Sequence, residues 1–232
     1  MAAGALLVAG AVGLFATAGF LDRDPRHLFA ATGPRAGVTA LYFSGDMGLR
    51  FGMGPATSKA LAQHGVPVFG VNSSTLFRTR RTRAETDAIV ADAVREALDR
   101  AGADRLVLIG QSYGADVLQT GLVHLPDALR AKVGGVVLVV PGRDVFFRAD
   151  PTSLAYRGAP DSDGARTIRA LNWTPLTCIY GQEEPDSACP ALRGTGATVI
   201  AMPGGHFLHN DADGLVGHVL AAVARLRPIA KP

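Results

Sequence analysis

The sequence is poor in several features that mark whole classes of protein. Its 232 residues include two cysteines and one tryptophan, and only 6% of them are aromatic. The formal net charge is only +3 and no repeat of 20–50 residues is visible, so neither a strongly basic nucleic-acid-binding domain nor a solenoid is indicated. The 28 glycines and 14 prolines follow no triplet period, which excludes collagen. With 48% hydrophobic residues, the chain has the length and composition of one ordinary globular domain.

Charged side chains are also missing from residues 1–21, and the first one in the chain is Asp22. About 20 apolar residues can just span a bilayer, but this stretch is rich in alanine and glycine. Ala16-Thr17-Ala18 follows an apolar core and fits a cleavage site, although no positive region precedes that core. We expect residues 1–21 to form a signal peptide, with a membrane anchor or a buried N-terminal helix as alternatives. Residues 22–36 are then a linker and residues 37–232 the domain.

The two cysteines, Cys178 and Cys189, lie eleven positions apart on either side of a turn rich in glycine and acidic residues. An even number of closely spaced cysteines in an exported protein indicates a disulfide, and two unconnected thiols are the alternative. No Cys-x-x-Cys motif or nearby histidine completes a set of metal ligands, so a metal site is not expected here.

Short apolar segments alternate with amphipathic helical segments along most of the chain. The clearest helix is predicted over residues 83–101, where Val90, Val94 and Ala97 share one face. The polar residues 143–173 are expected to form a long loop at the edge of the sheet where α/β proteins bind ligands. Apolar strands alternating with helices indicate one doubly wound α/β domain with a mostly parallel sheet and helices on both faces. About six strands are predicted, at residues 38–43, 66–71, 105–110, 136–140, 176–180 and 198–202.

The motif Gly110-Gln111-Ser112-Tyr113-Gly114 is the most informative part of the sequence. It follows a predicted strand directly and precedes a helix, which is the context of a nucleophile elbow. The glycines leave room for a sharp turn in which the serine takes a strained backbone conformation. Ser112 is therefore our candidate nucleophile, and an ordinary serine in a glycine-rich turn is the alternative.

A serine needs a histidine to take its proton and an acid to orient that histidine. In an elbow of this type the expected chain order is serine, acid, histidine. His206 comes just after the last predicted strand and is our candidate base. The acid should follow the preceding strand, where Glu184 and Asp186 are the main candidates and Glu183 is a third.

Backbone amides near the serine could stabilise an oxyanion. Those of Gly45 and Asp46, in the loop after the first predicted strand, and that of Tyr113 are the candidate donors. A plain turn is the alternative for that loop. Asp116 falls in the first turn of the helix after the serine, where it could brace the elbow or bind substrate.

Four arginines, at positions 78, 80, 81 and 83, crowd one loop. They are either a solvated surface or a contact for a phosphate group, since guanidinium groups match phosphate oxygens, and Arg80 and Arg81 are the candidates for that contact. No aromatic residues are interleaved with them and no nucleic-acid-binding module is visible, so DNA or RNA binding is not expected.

These motifs together resemble the bacterial virulence protein VirJ family, which also occurs as the C-terminal domain of AcvB proteins. The resemblance covers about residues 37–225 and implies an α/β-hydrolase fold without a large cap domain, a periplasmic location and a role on the envelope. It is carried by Phe43-Ser44-Gly45-Asp46, Gly110-Gln111-Ser112-Tyr113-Gly114-Ala115-Asp116, Cys178-Ile179-Tyr180-Gly181 with Glu184, Asp186, Ser187 and Cys189, and Pro203-Gly204-Gly205-His206 with Asp211.

The chain departs from the family pattern in three places. Met47-Gly48-Leu49 stands where a glycine and an aromatic residue are usual, and Phe207 stands where a second histidine is usual. The arginine-rich residues 78–83 replace an aromatic-rich stretch. The serine, the histidine and the acid loop are unchanged, so these departures bear on the choice of substrate and leave hydrolysis itself in place.

The resemblance implies a serine esterase that cuts the aminoacyl ester of aminoacylated phosphatidylglycerol, because AcvB-type members release lysine from this lipid. No metal or organic cofactor is implied. The expected partners are a lipid or small-molecule ester and a membrane surface. A general carboxylesterase or thioesterase, and a non-catalytic periplasmic factor on a hydrolase scaffold, are the alternatives.

Overall fold

The computed structural model describes residues 10, 12–101 and 103–226. A seven-stranded sheet in the order β1-β3-β2-β4-β5-β8-β9 forms its centre. All neighbours pair in parallel except β1, which lies antiparallel to β3 at the edge. The strands of this sheet are β1 (Arg26–Phe29), β2 (Thr39–Phe43), β3 (Val68–Val71), β4 (Leu106–Gln111), β5 (Val133–Val139), β8 (Leu176–Gly181) and β9 (Thr198–Met202).

Helices cover both faces of the sheet. The α-helices that follow β1 along the chain are α1 (Met53–Gln63), α2 (Ser73–Leu76), α3 (Arg83–Ala101), α4 (Tyr113–Leu122), α5 (Asp127–Arg130), α6 (Gly164–Arg169) and α7 (Ala212–Arg225). On one face, Val90 and Val94 of α3 pack with Leu118 of α4 against the sheet. On the other, Leu61 of α1 and Val219 of α7 form the second core layer.

The predicted fold class is confirmed. The strands expected to be continuously apolar are buried along their whole length in β2, β3, β5 and β8, as a parallel sheet covered on both faces requires. The helix predicted over residues 83–101 has those bounds, and Val90, Val94 and Ala97 are fully buried on its inner face.

The expectation of a linker at residues 22–36 was wrong, because this segment contains β1. Arg26 pairs with Val71 and Phe29 with Val68 in the antiparallel register. The Arg26 guanidinium also donates to Glu96 of α3 at 2.6 Å, which ties the edge strand to a helix. The polar character of β1 is that of an edge strand, half exposed to solvent.

The segment just before β1 belongs to the domain as well. Residues 12–17 are helical, and Ala18 and Phe20 are buried in the core beside α2 and α3. The structure therefore shows a packed segment at residues 18–20. Of the expected signal-peptide core at residues 6–15, residues 6–9 and 11 lie outside the described residues, and cleavage of this segment stays a prediction. Of the described helices, none combines the length and the apolar character needed to cross a bilayer.

Residues 143–173, expected to be an irregular loop, contain a short hairpin and a helix. Strands β6 (Asp144–Val145) and β7 (Ser162–Asp163) pair antiparallel, and α6 follows directly. Residues 146–161 connect the two strands above the carboxyl edge of the main sheet. This hairpin loop supplies part of the wall of the cavity described below.

Two glycines test how tightly this architecture constrains the chain. A Cβ on Gly114, in the first turn of α4, would lie 2.2 Å from the Ser44 carbonyl oxygen, whereas a Cβ on Gly217 of α7 would have no atom within 4 Å. We expect Gly114→Ala to lower the free energy of unfolding by at least about 3 kcal/mol, because neither backbone can retreat. Gly217→Ala should raise it by about 0.5–1 kcal/mol through helix propensity. Urea unfolding of both variants measures this, and equal effects would contradict the described packing.

Candidate active site

Ser112 sits on the sharp turn between β4 and α4. Its φ of 52° and ψ of −129° place a non-glycine residue in a strained region of backbone space. The turn is so tight that a Cβ on Gly110 would lie 2.6 Å from the Ala115 Cα. This crowding is the physical reason for glycine on both sides of the serine, and the turn has the form of a nucleophile elbow.

The structure brings Ser112, His206 and Glu184 into one chain of hydrogen bonds. Ser112 Oγ lies 2.8 Å from His206 Nε2, and His206 Nδ1 lies 2.5 Å from Glu184 Oε1. An ionised carboxylate only accepts hydrogen bonds, so Nδ1 carries the proton and Nε2 is left to accept from the serine hydroxyl. The arrangement can therefore take a proton from Ser112 and hold the resulting imidazolium.

The loops that carry the acid and the histidine pack directly on each other. A Cβ on Gly181, at the end of β8, would lie 2.2 Å from the Gly205 carbonyl oxygen. The Glu183 amide donates to the Gly204 carbonyl at 3.0 Å. Only glycine at position 181 allows the two loops to approach so closely. Their close packing turns the buried Glu184 carboxylate toward the His206 ring.

Asp186, the alternative acid, does not occupy that position. Its side chain is exposed at the cavity wall, and its backbone carbonyl accepts from the Arg143 amide at 2.8 Å. Glu183 is exposed as well. Of the three acidic candidates, the structure joins Glu184 alone to His206, so Asp186 as the partner of His206 was wrong.

The predicted disulfide is confirmed. Cys178 of β8 and Cys189 form an S–S bond of 2.03 Å, and both residues are fully buried. The bond closes the segment that contains Glu184 and Asp186. It therefore links the strand that begins the acid loop to the short helical turn that ends it.

The candidate oxyanion donors lie beside the serine. A Cβ on Gly45 would lie 3.9 Å from Ser112 Oγ, so this loop passes directly over the nucleophile. Neither the Asp46 amide nor the Tyr113 amide donates to another backbone group in the described part of the chain. The Tyr113 amide is available to a ligand oxygen and lies at the positive end of α4, whereas the Asp46 amide also lies within reach of its own carboxylate.

Asp46 is held in place by two neighbours that sequence reasoning missed. The Ser74 hydroxyl donates to the Asp46 carbonyl at 2.5 Å, and the Tyr156 hydroxyl donates to Asp46 Oδ2 at 2.9 Å. Tyr156 stacks on Tyr113 and on Phe146, with ring centroids 6.0 and 5.6 Å apart. No local pattern identifies Tyr156, because it reaches Asp46 across 110 residues from a segment without regular structure.

Ser112, His206 and Glu184 open into a cavity of about 710 Å³. Its lining combines apolar residues with five carboxylates, and of the described residues no lysine or arginine contributes to it. No group of three or more histidine, cysteine or acidic side chains in the described ranges has the geometry of a metal site. The five carboxylates are those of Asp46, Asp116, Asp144, Glu184 and Asp186.

The carboxylates set the protonation of His206. Burial alone would lower the pKa of the imidazole, but the hydrogen bond and the charge of Glu184 outweigh it. Asp46 and Asp186 add attraction for the imidazolium. The net result is a His206 pKa above its ordinary value.

Asp116 is a cavity carboxylate whose burial is offset by a single hydrogen bond. Withdrawal from solvent raises its pKa well above the ordinary value, the Gly142 amide works in the opposite direction, and the charge of Glu184 adds to the rise. The Gly142 amide donates to Asp116 Oδ1 at 2.8 Å, and this hydrogen bond braces the turn after β5. Asp116 Oδ2 faces the cavity without a described partner. Both roles considered for Asp116 are thus compatible with its position.

Arg80 and Arg81 do not line the cavity, so the structure does not bring them to the candidate site, and their contact with a phosphate group stays a prediction. Arg80 forms an ion pair with Asp161, and Arg81 donates to the Leu76 carbonyl at 2.9 Å. Their guanidinium groups hold the loop before α3 against its neighbours. This structural use explains a cluster of arginines without invoking a phosphate ligand.

The family model described as bacterial virulence protein (VirJ) matches residues 37–227. The chain belongs to the VirJ family. The match includes the strands and loops that carry Ser112, Glu184 and His206, and it confirms the resemblance noted in the sequence. No curated protein sequence matches this VirJ-family chain significantly.

Solved structures similar to this VirJ-family chain are α/β hydrolases. A serine hydrolase without a lid from Xanthomonas campestris is 19% identical, with a TM-score of 0.59 over 89% of this chain and 90% of that one. A serine hydrolase homologue from Coxiella burnetii is 14% identical, with a TM-score of 0.61 over 84% and 89%. A thioesterase described as putative, from Silicibacter sp., is 18% identical, with a TM-score of 0.56 over 88% and 87%. At these identities the likeness establishes the fold.

The role of Glu184 can be separated from that of Asp186 by titrating His206. Glu184→Gln should lower the pKa of His206, because burial then disfavours the imidazolium without an adjacent carboxylate to oppose it. Asp186→Asn should lower it less, since the Asp186 side chain is exposed and acts only through its charge. NMR titration of the imidazole measures both shifts, and an equal or larger effect of Asp186→Asn would contradict the assignment.

The disulfide should contribute measurably to stability. Replacing both Cys178 and Cys189 by alanine should lower the free energy of unfolding by about 2–3 kcal/mol, because the unfolded chain loses a cross-link over a short loop. Denaturant unfolding under non-reducing conditions measures the loss, and the native protein unfolded with a reductant is the matched comparison. An unchanged unfolding midpoint would show that the bond does not stabilise the fold.

Proposed function

We propose that this VirJ-family protein is a serine esterase. The observation that carries the proposal is the continuous chain of hydrogen bonds from Ser112 through His206 to Glu184, at the wall of a cavity large enough for a small organic ligand. The fold shared with serine hydrolases and esterases supports it.

The proposed reaction has two halves. Ser112 Oγ attacks the ester carbonyl while His206 takes its proton, and the Asp46 and Tyr113 amides stabilise the oxyanion. His206 then protonates the leaving alcohol, and Glu184 holds the imidazolium between these steps. In the second half, a water molecule activated by His206 hydrolyses the acyl-enzyme. Because the base must be neutral, the rate should fall as the pH drops through the raised pKa of His206.

We further propose that the substrate is an aminoacylated phosphatidylglycerol of the lysyl type. Membership of the VirJ family supports this choice, and so does a cavity lined by carboxylates without an opposing lysine or arginine among the described residues. Such a cavity favours a ligand that carries ammonium groups. Hydrolysis would release the amino acid and restore the anionic lipid.

Among the carboxylates, Asp116 is the best candidate to bind a substrate ammonium group. Asp46 already accepts a hydrogen bond from Tyr156, and Glu184 is committed to His206. Asp211, which follows the His206 loop, caps α7 by accepting from the Gly214 amide and does not line the cavity. Asp116 Oδ2 is left facing the cavity.

We place this activity in the periplasm. The disulfide between Cys178 and Cys189 fits an oxidising compartment, and the VirJ family is described as a family of bacterial virulence proteins. A general carboxylesterase or thioesterase would use the same Ser112 chemistry on other acyl groups, and a thioesterase described as putative is among the structural relatives. The substrate test below separates these possibilities.

The proposal is tested with lysyl-phosphatidylglycerol in mixed micelles. The native protein should release lysine, and Ser112→Ala should release none above background. Asp116→Asn should lower kcat/KM for this lipid by about 10–100-fold, as expected for losing a charge-assisted hydrogen bond, through a higher KM. Its activity on a neutral short-chain nitrophenyl ester should stay within about twofold of the native value, because that substrate offers no ammonium group to Asp116.

Asp144→Asn is the matched control, because Asp144 lines the same cavity but is exposed. It should change kcat/KM for the lysyl lipid by less than about threefold. Unchanged lysyl-phosphatidylglycerol together with rapid cleavage of the neutral ester would discard the lipid and retain the esterase. No cleavage of either substrate by folded protein would favour a non-catalytic role.

A further inference from the structure

Three large apolar side chains stand exposed around the mouth of the cavity. Phe51, Leu154 and Phe207, which we call the apolar rim, are 58%, 61% and 71% exposed. Phe51 and Phe207 line the cavity itself, and Leu154 follows the lining residue Ser153 on the hairpin loop. They come from three separate segments of the chain, so no local pattern explains their convergence.

The described end of the uncharged N-terminal segment is held beside this rim. Arg50, the neighbour of Phe51, donates to the Asp22 carboxylate at 3.0 Å and to the Ala16 carbonyl at 3.4 Å. Val12, four residues before Ala16, and Leu21, next to Asp22, are exposed as well. Five of the six exposed large hydrophobic residues in the described chain therefore lie at the rim or in the segment pinned to it.

The sixth such residue provides a contrast. Leu28 is 62% exposed on β1, where it pairs with Phe69 in the interior of β3, away from the mouth. A single exposed leucine of this kind is normal for a soluble surface. A cluster of them around the opening of a cavity is typical of a surface that contacts another apolar body.

The size of the cavity indicates what the apolar rim contacts. About 710 Å³ suits a drug-sized ligand, which is the scale of an aminoacyl glycerol head group. Two long acyl chains would not fit in addition, so they must remain outside the protein while the ester reaches Ser112. Apolar side chains around the opening would lie at the level where those acyl chains begin.

We propose that the apolar rim docks on the surface of a lipid bilayer, so that the head group enters the cavity while the acyl chains stay in the leaflet. The choice of a bilayer as the occupant rests on the proposed lipid substrate. Docking then brings the rim and the uncharged N-terminal segment onto the same surface. The carboxylates inside the cavity draw the cationic head group from that surface toward Ser112.

The test uses an environment-sensitive fluorophore on a single cysteine. Both native cysteines are in the disulfide, so Leu154→Cys and Leu28→Cys can each be labelled selectively in the full chain under non-reducing conditions. Both variants also carry Ser112→Ala, so that no lipid is consumed. The vesicles contain phosphatidylglycerol and lysyl-phosphatidylglycerol, with and without a lipid that bears a nitroxide quencher in its acyl chain.

We expect the emission maximum of the label at position 154 to move to shorter wavelength on vesicles. The quencher should remove at least about half of its fluorescence intensity, because the label would then lie at the boundary of the acyl chains. The label at position 28 should respond to neither, although both leucines are equally exposed in the free protein. No response at position 154, or equal responses at both positions, would overturn the proposal.

Two further outcomes separate this proposal from its alternatives. If the emission of the label at position 154 shifts with rising protein concentration in the absence of vesicles, the rim is a contact between copies of the chain, and bilayer docking is overturned. Because the labelled protein is inactive, quenching reports contact alone. Quenching at position 154 alone, together with no lysine release by the native protein, would discard the proposed substrate and still support the docking surface.

Discussion

The hydrogen bond between the Ser112 hydroxyl and the His206 ring joins residues 94 positions apart, and the other features of the site depend on it. It can form because β4, β8 and β9 are parallel and end at the same edge of the sheet, where their following loops meet. The Ser112 backbone is strained, and the surrounding packing at Gly110 and Gly114 maintains that strain. The fold thus supplies the rigidity that an activated serine requires.

Charge is distributed in the site so that one carboxylate serves the histidine and others remain for a ligand. Glu184 is buried against His206 and favours the imidazolium form. Asp116 and Asp46 also line the cavity, and burial raises the pKa of each carboxyl. A ligand that brings positive charge into this cavity would relieve that cost, which is the physical basis for proposing an ammonium-bearing substrate.

Local patterns in the sequence predicted the features that depend on neighbouring residues. The six parallel strands, helix α3 and the serine turn follow from apolar runs, helical periodicity and paired glycines. The choice between Glu184 and Asp186 did not follow, because both lie in one loop and the close packing of Gly181 on Gly205 decides which one turns inward. Strand β1 and Tyr156 were missed for a related reason: their roles depend on Val71 and Asp46, which are distant in the chain.

The central claim is that Ser112 is an activated nucleophile, and its reactivity with a fluorophosphonate tests this most directly. Mass spectrometry of the folded protein should find one adduct per chain, on the peptide that contains Ser112, and none in Ser112→Ala or in protein unfolded before treatment. Folded protein that stays unmodified, or that is modified at a different serine, would contradict the account.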